Sequence, residues 1–149
     1  MQRRSILASI VCAAAIIAPP IGLAHKGVTN PAVMARMNNM TLLAAELAVV
    51  GKMLKGETAF DAQTAHLAVR NIARYGEETT ALFEAHETDP KSEAKPEIWR
   101  NFGDFENKAD ALVAQALALD GNLGRLEDLA PAMRSLGQAC QACHKLYRE

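Results

Sequence analysis

The chain has 149 residues, a formal net charge of −1, and half of its residues hydrophobic. That length bounds it to one domain, which can bury one core and one cofactor but little more. The balanced charge, without a basic patch, excludes nucleic acid as a partner and leaves small proteins or small ligands.

At the N-terminus, Arg3 and Arg4 precede an apolar run from Ile6 to Ala18 and a Pro19-Pro20 break. This pattern is that of a secretory signal peptide. Gly22-Leu23-Ala24 supplies small residues for cleavage, so residues 1–24 are expected to be removed and the mature domain to run from His25 to Glu149. The run is too short to span a bilayer, so no stable membrane insertion is expected. A retained anchor is the alternative, and the paired arginines weakly resemble a twin-arginine signal. Export places the mature domain in the periplasm. It would carry 14 basic and 17 acidic side chains, a formal charge of −3. Cys12 falls inside the cleaved segment, in a context that makes no lipoprotein site.

The remaining signals are helical. Asn30-Pro31 opens helix one, Asn as the cap and Pro at the first position. Val33, Met37, Met40, Ala44, Leu47 and Leu54 form its apolar face, with Gly51 and Gly56 weakening its end. Thr58-Ala59-Phe60-Asp61 resembles a capping box for helix two, expected from about Ala59 to His86. Asp89-Pro90 marks a loop over Glu87 to Lys95. Pro96 opens helix three, whose stripe is Ile98, Trp99, Phe102, Phe105, Ala109, Leu112, Val113, Ala116 and Leu119. Asp120-Gly121-Asn122 ends it. The last helix reaches the C-terminus. With Asp128 as its cap, Pro131 occupies the first turn, where no intrahelical bond is lost; a separate turn over Leu123 to Glu127 is the other option. Nothing alternates with the period of a strand. Four helices with short connections imply an all-α fold, an antiparallel up-down-up-down four-helix bundle.

The last helix ends in Cys140-Gln141-Ala142-Cys143-His144, the Cys-x-x-Cys-His pattern of covalent haem c attachment. Cys140 and Cys143 would bond the porphyrin edge, and His144 would give its imidazole to the iron. The bland alternatives are a strained disulfide, a redox pair or zinc. A redox pair normally opens a helix after a strand, whereas this one closes a helical chain, and zinc lacks two further ligands.

Bundle geometry ranks the partners for His144 across the iron. His144 lies about 8 Å from the chain end, and Met40 about 15 Å along helix one, at the same end of the bundle. Met34, Met37 and Met40 are therefore in range. Met53, about 35 Å along, is at the wrong end, and Met133 shares the haem-bearing helix.

Cys140-x-x-Cys143-His144-x-x-Tyr147-Arg148, Lys95-Pro96-Glu97-Ile98-Trp99, Arg36-x-x-x-Met40 and Lys55-Gly56-Glu57 together resemble the class II c-type cytochromes, the cytochrome c prime family. The resemblance covers the mature chain, and the C-terminal position of the haem motif is its most specific element. It implies one covalent haem c in a four-helix bundle. It also implies a choice between six-coordinate low-spin members, which place a methionine on the iron and carry electrons, and five-coordinate members, which bind NO or CO. Met40, four residues after Arg36, favours the c-556-like low-spin type, with His144 and Met40 as axial ligands and redox proteins as partners. The alternative is Met40 as a steric gate over an open site that buffers NO or CO. A haem enzyme finds no distal acid or base in helix one, so none is expected.

The resemblance also puts Arg36 near the haem propionates and Arg148 near the proximal imidazole; the bland readings are a solvated arginine and a cation at a helix C-terminus. Dimerisation through the first two helices, frequent in that family, leaves a homodimer open. Tyr147 reads as packing with a polar tip, and Trp99 as core. His66 and His86 read as surface positions of helix two, and His25 as a chain terminus.

Overall fold

The computed structural model describes residues 27–149; the signal segment, Cys12 and His25 lie outside them. Four long helices form, α1 (Pro31–Leu54), α2 (Ala62–Phe83), α4 (Phe102–Leu119) and α5 (Leu129–Tyr147), with a one-turn α3 (Glu97–Arg100) before α4 and a 3-10 turn (Leu126–Asp128) before α5. α1 packs on α2, α2 on α4, α4 on α5, and α5 back on α1, closing the expected four-helix bundle.

Helix one begins as its sequence dictates. The Asn30 side chain accepts from the backbone N–H groups of Ala32 and Val33, with Pro31 in the first position. It ends at Gly56, whose φ of +72° suits glycine. The N–H of Gly56 donates to Met53 O and that of Glu57 to Lys52 O, the paired bonds of a Schellman motif. Gly51 stays inside the helix, facing Met133.

Its buried face differs from the expected stripe. Ala44 and Leu54 are exposed, whereas Arg36 and Asn39 are buried at 2% and 3% exposure. Two polar side chains on the inner face hide the true period from a purely apolar count. The Asn39 Nδ2 donates to Tyr75 O and Thr79 Oγ1, both at 3.0 Å, tying α1 to α2, while its buried Oδ1 has no hydrogen-bond partner among the described residues.

Helix two is shorter than expected. Asp61, not Thr58, is its cap, the carboxylate accepting from Thr64 N at 2.7 Å while Phe60 is drawn against the core. It stops at Phe83 rather than His86, and Arg36 donates to the carbonyls of Leu82 and Ala85 where the helix ends. Helix three is broken at Asn101 (φ −130°, ψ 45°), within an Asn-Phe-Gly run of weak helix formers. Its N–H closes α3 on Glu97 O while its carbonyl accepts from Asp104 and Phe105, starting α4. Asp128 precedes α5, but its carboxylate bonds Arg125 N in the 3-10 turn rather than capping the helix. Pro131 falls in the first turn of α5.

The core divides in two. One cluster, at the end away from the cysteines, gathers Val50, Met53, Val69, Ile72, Leu123, Leu129 and Leu136. The other, rich in aromatics, consists of Phe83, Ile98, Phe105 and Tyr147. α2 and α4 approach closely at Gly76, where an added Cβ would meet Val113 Cγ2 at 2.8 Å. Gly76→Ala is therefore expected to lower folding stability by about 1–3 kcal/mol through overpacking, read as a fall in the urea midpoint.

Candidate haem site

The aromatic cluster brings together residues from both ends of the chain. Met40 of α1 and Cys143 of α5 both pack against it, each half-buried. Met53 and Met133 belong to the other core cluster, which agrees with placing them out of reach. Tyr147, one turn beyond Cys143, is buried edge-on against Phe105 with ring centroids 5.5 Å apart, and its hydroxyl donates to Asp104 Oδ2 at 2.6 Å. Burial, then the hydrogen bond to Asp104, push the Tyr147 hydroxyl up to about 12. The phenol therefore stays a neutral donor and fastens α5 to α4.

Cys140 and Cys143, three apart, share a face of α5, and both thiols are free. Burial raises both, Cys143 to about 11 despite the opposing Lys108. A thioredoxin-like pair depends on a depressed thiol, so these environments run against redox exchange. Among the described residues no three His, Cys, Asp or Glu side chains gather to hold a bare metal ion. Next to the thiols, the half-buried His144 imidazole has its pKa lowered by burial and by Arg148, with Glu93 opposing. Both effects disfavour the protonated ring, in the sense an iron ligand needs. Two thiols, an adjacent neutral imidazole and a thioether on the neighbouring helix are a donor set that fits a covalently attached haem.

The arginines divide. Arg148 is near enough to lower the pKa of His144, and its Nε and terminal nitrogen both reach Glu93 at 2.6 Å. Arg36 is buried rather than solvated. Its Nε donates to Leu82 O at 2.8 Å, one terminal nitrogen to Glu87 O at 2.7 Å and the other to Ala85 O. Its guanidinium carbon lies 4.8 Å from the centre of the Phe83 ring and 5.3 Å from that of Trp99. Three charge-assisted bonds to part-buried carbonyls offset the cost of keeping the guanidinium inside.

His66 lies in α2 and accepts from Gly121 N at 3.0 Å. His86 lies beyond the helix, stacked on Trp99 at 4.2 Å. Trp99 is half-buried and donates to Phe83 O at 2.8 Å. Sequence reasoning missed Asp89, which is buried and accepts from Thr29 N, Thr29 Oγ1, Asn30 N and Lys91 N. These bonds, led by that from Lys91, hold its pKa at about 2, below the usual 3.8. A carboxyl whose folded pKa is depressed stabilises the fold above its unfolded pKa and loses that contribution as pH falls through its folded pKa. For Asp89 the window is between about pH 4 and pH 2. Asp89→Asn is expected to lower the urea midpoint at pH 7 and to flatten its decline across that window.

A closed helical bundle whose last helix carries free paired thiols beside an imidazole is the framework of a bundle-type c cytochrome. The sequence profile described as Cytochrome C' matches residues 31–148, and the chain belongs to that family. Its cofactor is haem c, covalently attached. Cytochrome c-554 of Cereibacter sphaeroides is 36% identical over 119 residues, covering 74% of this chain and 75% of that protein. Cytochrome c-556 of Agrobacterium tumefaciens strain B2A is 41% identical over 95 residues, 63% of this chain and 77% of that one. The structure of cytochrome c prime from Shewanella frigidimarina superposes with a TM-score of 0.70 at 28% identity, covering 79% of this chain and 94% of that one. The family comprises monohaem electron carriers and gas binders, often dimeric. Among the described residues no helix is long and apolar enough to cross a membrane.

Proposed function

We propose that this protein is a periplasmic single-electron carrier with a six-coordinate, low-spin haem. Cys140 and Cys143 form the thioether links, and His144 and Met40 are the axial ligands. When bound, the haem iron cycles between ferric and ferrous states, taking up and releasing one electron. The protein's part is to hold two ligands still. His144 presents a neutral imidazole from α5, and Met40 presents a soft thioether from α1, which favours ferrous iron and raises the potential. The observation that carries this reading is that Met40 and Cys143 pack on one aromatic cluster, with Met40 one helical turn from the anchored Arg36. Export rests on the segment ahead of residue 25, cleaved near Ala24.

A small, transient interface at the haem edge would serve redox partner proteins. A homodimer through α1 and α2 would follow the association frequent in the family.

Visible spectra of the oxidised and reduced protein, with and without CO, test the assignment. Low-spin iron in both states and no response to CO are expected. High-spin oxidised iron with rapid CO uptake would replace it with the gas-binding alternative, Met40 then serving as a steric gate.

A further inference from the structure

Residues 84–96, between α2 and α3, are fastened at both ends of their path. At the near end Arg36 gathers the carbonyls of Leu82, Ala85 and Glu87. Glu87 Oε2 accepts from Asn30 Nδ2 at 2.9 Å, and Asp89 accepts from the backbone and hydroxyl of Thr29 and from Asn30 N. All of these hold the first turns of α1. At the far end the chain pairs with the C-terminus. Lys95 N donates to Tyr147 O at 3.0 Å, Glu149 N donates to Glu93 O at 2.9 Å, and Glu93 meets Arg148. An isolated antiparallel bridge joins Ala94 to Arg148.

The segment thus links the helix that carries Met40 to the helix that carries His144, within four residues of each. α1 meets α5 less extensively than it meets α2. Direct packing alone therefore fixes their relative position less firmly than it fixes the α1–α2 pair. We propose that residues 84–96 form a strap that sets Met40 against His144, with Arg36 and Asp89 as positioning residues for the thioether. This rests on reading Met40 and His144 as the axial pair. The thioether itself is held only by half-buried packing, whereas the residue one turn before it is clamped by three hydrogen bonds. Loosening the clamp frees the first turns of α1 to shift, and Met40 shifts with them. The distal face then opens in a fraction of molecules, and apparent CO affinity rises in proportion to that fraction.

The test compares intact haem-loaded proteins: wild type, Arg36→Lys, Asp89→Asn and, as a control, Leu129→Ala, which cuts the core cluster at the opposite end. Arg36→Lys keeps the charge but loses the fork, and Asp89→Asn is the milder change should the first variant fail to fold. Far-UV circular dichroism and urea midpoints establish folding, and visible spectra with CO titration of the reduced form read the distal site. Both strap variants are expected to show a high-spin fraction absent from the wild type and a CO response that grows with that fraction. Leu129→Ala is expected to lose stability while staying low-spin and inert to CO. Strap variants that lose stability but remain low-spin and inert would overturn the strap alone, leaving the axial pair intact. Wild-type protein that is itself high-spin would overturn both.

Discussion

Met40→Ala is expected to convert the oxidised protein from low-spin to high-spin iron and to make the reduced protein bind CO rapidly. An alanine at position 40 has no sulfur to offer, and the aromatic cluster supplies no replacement: Phe83, Ile98 and Phe105 have no donor atom, and the Tyr147 hydroxyl is committed to Asp104. Loss of the thioether also withdraws its preference for ferrous iron, so the reduction potential falls. Truncating a half-buried methionine costs about 2 kcal/mol of stability on its own, and the lost iron bond adds to that. Absorption spectra and CO titration of purified Met40→Ala decide the matter. A variant with the wild-type spectrum would show that the sulfur is core filler, and the electron-carrier reading would lose its main support.

The second large effect concerns attachment. Cys140→Ser/Cys143→Ser is expected to abolish covalent haem, so that acidified organic solvent extracts all of the porphyrin and denaturing gels show no haem stain. Serine keeps the shape of each side chain but cannot form a thioether. His144 would then hold the cofactor by coordination alone, and the stabilisation a bound group gives the folded state would weaken by mass action. The urea midpoint of the double variant should therefore fall toward that of the haem-free chain. Haem that resists extraction from the double variant would remove Cys140 and Cys143 from their assigned role.

These two sites were legible because their signals are local. Cys140, Cys143 and His144 lie within five consecutive residues on one helix, and the helix period carries them to one end of the bundle. Met40 could be ranked above Met53 from helix rise, since an antiparallel bundle fixes which ends meet, and above Met133 because that residue shares the helix of the cysteines. The cap at Asn30 and the stop at Gly56 are equally local, and both formed where their residue types require.

Arg36 shows where sequence reasoning fails. As a charged residue near the start of α1 it reads on the bland view as solvated, yet it is buried. Its three acceptors lie 46 to 51 residues away, and their carbonyls are open only because α2 stops at Phe83. Asp89 is similar: beside Pro90 it reads as an ordinary turn residue, but three of its four donors belong to Thr29 and Asn30, across the fold.

The four long helices, the shared face of Cys140 and Cys143 on α5 and the short list of methionines could be read from the sequence, because each depends on spacing along one helix. Only the tertiary structure decided that Arg36 and Asn39 turn inward, that α3 breaks from α4, and that residues 84–96 tie α1 to α5. The reason is physical: a polar group can be buried only where distant partners satisfy it, and those partners are defined by the fold rather than by neighbouring residues.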